Sequence, residues 1–186
     1  MLFAPDTKEA LEFVVALANT ATGASRTGDD ELVTVAELAE LLAGYPYSGR
    51  IDHDAAELAA VRETRDQLRA LWVLERDEAV TVVNGMLREA RALPFLARHD
   101  GLDWHLHATE PDAPLAERIR VEAALAVIDV IRMDETRRLR VCAADHCVGL
   151  FLDLSRNGSK RFCTVRCGNR VNMVAYRERA RSGKDH

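Results

Sequence analysis

Apolar positions along most of this chain recur at three- and four-residue intervals, the period of a helix that buries one face. From Lys8 to about Thr20, Leu11, Val14, Val15 and Ala18 fall on one side and predict a first helix. Gly23 to Asp30 is polar and turn-rich, hence a loop. Thr34 with Glu37 three residues on makes a capping box, and the short helix it starts should stop at Gly44. Asp54 with Glu57 opens a long helix through about Leu74, with Leu58, Val61, Leu68, Leu71 and Trp72 as its buried stripe. Asp77 caps another helix to about Arg91, burying Val80, Val83, Met86, Leu87 and Ala90. Arg62, Glu63, Arg65, Asp66, Arg69, Glu75 and Arg76 read as the solvated face of these two helices.

The period changes after Pro94. Phe95-Leu-Ala97, a turn at Asp100-Gly101, and the alternation of Leu102, Trp104 and Leu106 with Asp103, His105 and His107 predict a hairpin. His105 and His107 share a strand face and could ligate a metal; with no third ligand nearby they read as a polar face. A last long helix, Leu115 to about Glu135, carries Ile119, Leu125, Ile128 and Ile131, with Pro114 in its first turn and Asp112 as a cap.

At 186 residues and 48% hydrophobic, the chain has length for one domain, or one domain and a small module, with a sizeable core. No apolar run approaches the roughly 18 residues that span a bilayer, so no membrane partner is expected. The first residues show neither a basic n-region nor an apolar h-segment, which makes the cytoplasm the expected compartment. Clustered cysteines there bind metal more often than they pair as disulfides.

All four cysteines lie between Cys142 and Cys167, as Cys142-x4-Cys147 and Cys163-x3-Cys167. Four thiolates satisfy tetrahedral zinc and leave no open position for water, so one structural zinc is expected and catalysis by it is not. Two disulfides are the rival arrangement. Cys163 and Cys167 stand one helical turn apart at the start of a helix, whose free N–H groups favour thiolates. Asn157-Gly158 in the connecting stretch predicts a hairpin turn. The expected layout is a loop with two ligands, a hairpin, then a helix with two ligands, as in a treble clef.

The net charge of −5 conceals a split. Residues 137–186 hold 12 basic and 4 acidic residues, and the remainder 13 basic and 26 acidic. A basic tail on an acidic body suits a polyanionic partner; mutual neutralisation within the fold is the competing reading. At 100° per residue, Arg166, Arg170, Arg177 and Arg181 fall within roughly 60° of one another, while Val171, Val174 and Ala175 should pack under the hairpin. Arg156, Lys160 and Arg161 extend this basic stripe, which can contact phosphates.

These residues carry a resemblance. Cys142-x4-Cys147, Phe151-Leu-Asp-Leu-Ser-Arg-Asn-Gly158 and Cys163-x3-Cys167-Gly168-Asn169-Arg170 resemble the CGNR zinc finger over roughly residues 138–180. Phe162 stands where that family commonly has Trp, and Val171, Met173 and Val174 stand where it has more basic residues. The family usually carries an N-terminal domain, ABATE, of the kind predicted to belong to stress-induced bacterial transcription regulators. Glu12-Phe13 followed by Ala18-Asn19-Thr20 resembles its opening helix.

The expected fold is α+β: a predominantly helical ABATE-like domain over 1–136 with one hairpin, followed by a treble-clef-like zinc finger over 137–186. The expected function is that of a zinc-dependent nucleic-acid-binding protein, a DNA-binding transcription regulator, DNA being favoured over RNA through the resemblance. An RNA-binding protein, or a zinc-stabilised protein-interaction module, is the alternative. The small module favours a homodimer, and the helical domain would take an unidentified effector. The chain has no Ser/His/Asp constellation, no Gly-rich phosphate loop and no metal motif outside the cysteines, so an enzyme is not expected.

Overall fold

The computed structural model describes residues 3–45, 47, 49–98 and 103–182, apart from the side chains of 178 and 180–182. In chain order these form α1 (Pro5–Ala18), α2 (Val35–Ala43), α3 (Ala55–Trp72), α4 (Arg76–Glu89), β1 (Phe95–Ala97), β2 (His105–His107) and α5 (Leu115–Arg132). A 3-10 turn (Thr136–Arg138) leads into β3 (Leu139–Val141), β4 (Leu150–Leu152) and α6 (Val165–Ser182).

Helix α5 is the centre of the body, with α1, α3 and α4 packed on it. Its sequence explains this position. Ala116, Ala123, Ala124 and Ala126 are buried and small enough for neighbouring helices to approach closely, while Ile119, Val127 and Val130 fill the space between. Each such branched side chain contributes roughly 1.5–3 kcal/mol by leaving water. Around it the expected stripe of α3 is buried in full, and Leu11, Phe13, Val14 and Leu17 of α1 complete the core.

Local signals place most helix ends. Thr34 accepts from the Glu37 amide, and the Glu37 carboxylate accepts from the Thr34 amide, so the capping box forms as written in the sequence. Asp54 caps α3 through the Glu57 amide at 2.8 Å. Three ends differ from expectation. Helix α1 starts at Pro5, which needs no hydrogen-bond partner for its nitrogen in a first turn. Helix α4 starts after Glu75, with Glu78 accepting from the Glu75 amide, so Asp77 lies inside the first turn. Pro114 itself flanks α5, and Asp112 makes no cap. Along α4 and its C-cap, Val83 and Met86 are buried as expected together with Ala79, whereas Val80 is exposed and Leu87 and Ala90 are half-buried.

The hairpin pairs Phe95 with His107, Leu96 with Leu106 and Ala97 with His105; its Asp100-Gly101 turn lies outside the described residues. The alternation is as expected but the faces are inverted. Leu96 and Trp104, both 64% exposed, face outward with Leu106, and the histidines turn toward the body. No described helix is long and apolar enough to cross a membrane.

The second hairpin joins the two parts of the chain. Strands β3 and β4 pair antiparallel, Leu139 with Leu152 and Val141 with Leu150. All three residues of β4 are buried, and Leu150 and Leu152 belong to the same core as the helices, against α1.

Candidate metal centre and basic face

The finger's layout differs from the expected one. The first two cysteines lie within the β3–β4 hairpin, in its connecting loop; Asn157-Gly158 makes a turn in the later loop and joins no strands. Cys142 follows β3 directly and its amide donates to the Gly149 carbonyl at 2.8 Å, closing the knuckle. Within it, His146 takes a left-handed backbone, φ 63°, and stays exposed. The second pair sits at the start of α6. Thr164, immediately before that helix, accepts from the Cys167 amide at 3.2 Å and so caps it.

The four sulfurs converge, all within 4.8 Å of one another. Cys147, Cys163 and Cys167 are mutually 3.7 Å apart, Sγ to Sγ. Tetrahedral zinc at Zn–S of about 2.3 Å requires sulfurs about 3.8 Å apart. The observed separations are far longer than the roughly 2.05 Å of a disulfide, so the arrangement is a four-sulfur cluster and not two bridges. Gly149 leaves the room: a Cβ there would stand 3.1 Å from the Cys163 sulfur and 3.3 Å from that of Cys147. The set therefore fits one zinc ion, held by Cys142, Cys147, Cys163 and Cys167, and the ion would supply a cross-link between knuckle and helix.

Electrostatics point the same way. Burial pushes the Cys163 and Cys147 thiols up, while the Thr164 hydroxyl draws Cys167 down to about 7. Close-set thiols resist collective ionisation unless a cation offsets their charge. Gly168 explains its place in the tetrapeptide: the Phe162 ring lies across it, 3.3 Å from where a Cβ would be.

A buried carboxylate organises the loop before α6. Asp153, fully buried, accepts from the Ser155 amide and hydroxyl at 2.9 and 2.6 Å and from the Lys160 amide at 2.9 Å; Arg140 pairs with it at 3.4 Å. Burial pushes its pKa up, but these donors together outweigh burial and hold it below the ordinary value. Arg138, also buried, pairs with Glu135 at 2.8 Å and donates to the Asp153 and Ser155 carbonyls. Arg138 is thus interior, and Arg140, about a third exposed, is spent on Asp153 and on the Gly158 and Lys160 carbonyls.

The remaining basic residues are outside. Arg156, Lys160, Arg161, Arg166, Arg170 and Arg177 are exposed; the Arg181 side chain lies outside the described residues. Arg166 donates to the Arg26 carbonyl at 3.1 Å and Arg170 to that of Asp145 at 3.4 Å, so each spends one donor steadying α6 and keeps others for solvent. Lys160 and Arg161 lie over the Phe151 and Phe162 rings, at 5.1 and 5.5 Å. Val174 does not pack under the hairpin: it is exposed, as are Met173 and Tyr176, because α6 continues beyond the small finger that would cover them.

Sequence reading missed the seam between body and finger. Arg69, assigned to a solvated face, donates to the Ala18 and Val148 carbonyls at 2.7 and 3.0 Å. Arg65 is buried and holds Asp30 through two contacts of 2.8 and 2.9 Å. Trp72 donates from its indole to the Arg140 carbonyl at 3.3 Å. Among the described residues the four cysteines form the one group of three or more metal-ligating side chains, and His105 and His107 belong to no such group.

Two protein-family models match the chain. A model described as "Putative stress-induced transcription regulator" (ABATE) matches residues 11–134. One for the CGNR zinc finger matches residues 138–180. No curated protein matched the chain. With its helical body matched from α1 to the end of α5 and its four thiols seated in the matched finger, the chain belongs to the ABATE family and carries a CGNR zinc finger.

Proposed function

We propose that the chain is a zinc-dependent nucleic-acid-binding regulator that works on DNA and catalyses no reaction. The observation that supports this reading is the exposed basic face of α6, with Arg166, Arg170 and Arg177 flanked by Arg156, Lys160 and Arg161. Such a face meets phosphates, and arginine can also read guanine edges in the major groove. Helix α6 has 18 residues, about 27 Å, enough to lie along a groove. Exposed Met173 and Val174 beside the arginines suit contact with thymine methyls. Single-stranded RNA finds less here, since Phe162 is half-buried and Tyr176 offers one exposed ring. One finger is a small contact area, so a homodimer would bind two sites.

The zinc ion would fix α6 against the knuckle, and the β4 seam would fix the knuckle against the helical body. The test is retention of mixed genomic DNA and RNA fragments by zinc-loaded protein over a salt series. Preferential, salt-sensitive retention of duplex DNA is expected. Preferential retention of RNA would move the reading to an RNA-binding protein. Retention of neither polymer at low salt would remove it and leave a protein-interaction module.

A further inference from the structure

A cavity of about 310 Å³ lies between the first turns of α1, the middle of α5 and the β1–β2 hairpin. It is away from the finger, and its size suits a small organic molecule. One wall is aromatic. Phe13 meets Tyr45 edge-on at 5.0 Å and Tyr47 at 4.5 Å, and Phe95 stacks on His107 at 6.0 Å.

The polar wall is acidic. Among the described residues that line the cavity, five are carboxylates: Asp6, Glu9, Asp103, Glu122 and Asp129. Arg118 is the one arginine or lysine among them, and its guanidinium donates to the Ala113 and Arg50 carbonyls. Asp129 takes the Thr7 hydroxyl at 2.6 Å and has exposed Arg132 at 3.9 Å; Asp103 has exposed Arg98 at 3.9 Å. Glu122, about a quarter exposed, lies beside Tyr47, with His107 Nδ1 at 3.8 Å.

The histidines are arranged for hydrogen bonding. His105 Nδ1 lies 2.7 Å from the Asp103 carbonyl, an acceptor only, so that nitrogen carries hydrogen. Its Nε2 stands 2.8 Å from His107 Nε2, closer than the roughly 3.3 Å between two nitrogens sharing one zinc. The two rings therefore hydrogen-bond to each other, and the second of them faces Glu122 across 3.8 Å. A carboxylate excess against aromatic faces attracts an organic cation through charge-assisted hydrogen bonds and cation–π contact, and repels an anion.

We propose that this cavity binds a small organic cation with a flat apolar body, an arylalkyl amine, aryl amidine or aryl guanidine. Its charge rests against Glu122 and its body lies among Phe13, Tyr45, Tyr47 and Phe95. The site is separate from the basic face, and its test uses no nucleic acid.

Benzamidine, benzamide and benzoate serve as cationic, neutral and anionic probes of one shape. They are titrated calorimetrically into the zinc-loaded full chain, with Trp104, at the cavity rim, as a fluorescence reporter. Benzamidine should saturate in the millimolar range or tighter, ordinary for a ligand this small. It should bind at least about tenfold more tightly than benzamide, with benzoate silent. Glu122→Gln, nearly isosteric, should cost benzamidine about tenfold or more while its circular dichroism stays that of the unaltered chain. Equal binding of benzoate and benzamidine, or no saturable benzamidine binding, would overturn the proposal. So would a folded Glu122→Gln chain with unchanged affinity. The three-probe ranking on the unaltered chain decides even where that variant does not fold.

Discussion

Asn19, at the end of α1, and Leu150, at the start of β4, exchange two hydrogen bonds of 2.8 Å: the Asn19 amide donates to the Leu150 carbonyl, and the Leu150 amide donates to the Asn19 side-chain oxygen. An asparagine side chain thereby pairs with a strand backbone 131 residues away as another strand would. This gives Ala18-Asn19-Thr20 a physical role, because the seam between body and finger closes there. Asn19→Ala leaves both Leu150 groups without that partner, at about 1–3 kcal/mol. The urea midpoint should fall, and the Leu150 amide should exchange faster with solvent. An unchanged midpoint would show that the seam stands without this pair.

The Asp30–Arg65 pair separates a buried contact from an exposed one on the same carboxylate. Arg65 is 5% exposed and holds Asp30 at 2.8 Å; Arg62 is 43% exposed and reaches it at 3.5 Å. Asp30→Ala strands the buried guanidinium and should cost about 3 kcal/mol. Arg62→Ala should cost under about 1 kcal/mol, because water screens it. Thermal denaturation of the two variants measures the contrast; equal losses would contradict it.

Acid should act through Asp30 and Asp153. The Arg65 hydrogen bond holds the Asp30 carboxyl below its ordinary 3.8, against the opposing effect of burial; at Asp153, burial is outweighed by Ser155, Lys160 and Arg140. A depressed carboxyl contributes stability that is whole above the unfolded value and lost as pH falls through the folded one. The gap in urea midpoint between the unaltered chain and Asp30→Asn should be constant near neutrality and shrink below about pH 4. A gap that widens with acid would reverse the sign.

What was legible in the sequence was local. Thr34 and Glu37 lie within one turn of each other, so their capping box is decided by neighbours. The cysteine spacing likewise announces the four-sulfur cluster. Periodicity located the β1–β2 alternation but could not choose its inward face, which is set by contacts distant in sequence, such as His107 with Glu122 of α5. Arg69 and Val148 are 79 residues apart and meet only because β4 lies on α1, so nothing near Arg69 distinguishes it from a solvated arginine. The hairpin of the finger was misplaced because Asn157-Gly158 is a strong turn signal, while the strands that pair flank the knuckle instead.

Gly149 offers a test of the metal centre that leaves all four ligands in place. An added methyl would stand 3.1 Å from the Cys163 sulfur and 3.3 Å from that of Cys147, tighter than ordinary contact. Gly149→Ala should weaken zinc by about 10–100-fold, the range for altering a group that positions ligands. Competition with a chromophoric chelator reads this directly. Unchanged affinity would mean that the sulfurs close around zinc differently from the arrangement described.

The central claim is that α6, held by zinc, presents a phosphate-binding face. The most direct measurement is the salt dependence of duplex DNA affinity for the zinc-loaded chain, for Arg166→Ala/Arg170→Ala/Arg177→Ala, and for chain stripped by chelator. Each phosphate contact adds about 0.9 to the slope of log affinity against log salt on B-form DNA. The expected result is a steep slope for the unaltered chain, one shallower by about 2–3 for the triple variant, and little binding without zinc. Equal slopes for the unaltered chain and a folded, zinc-loaded triple variant would contradict the claim.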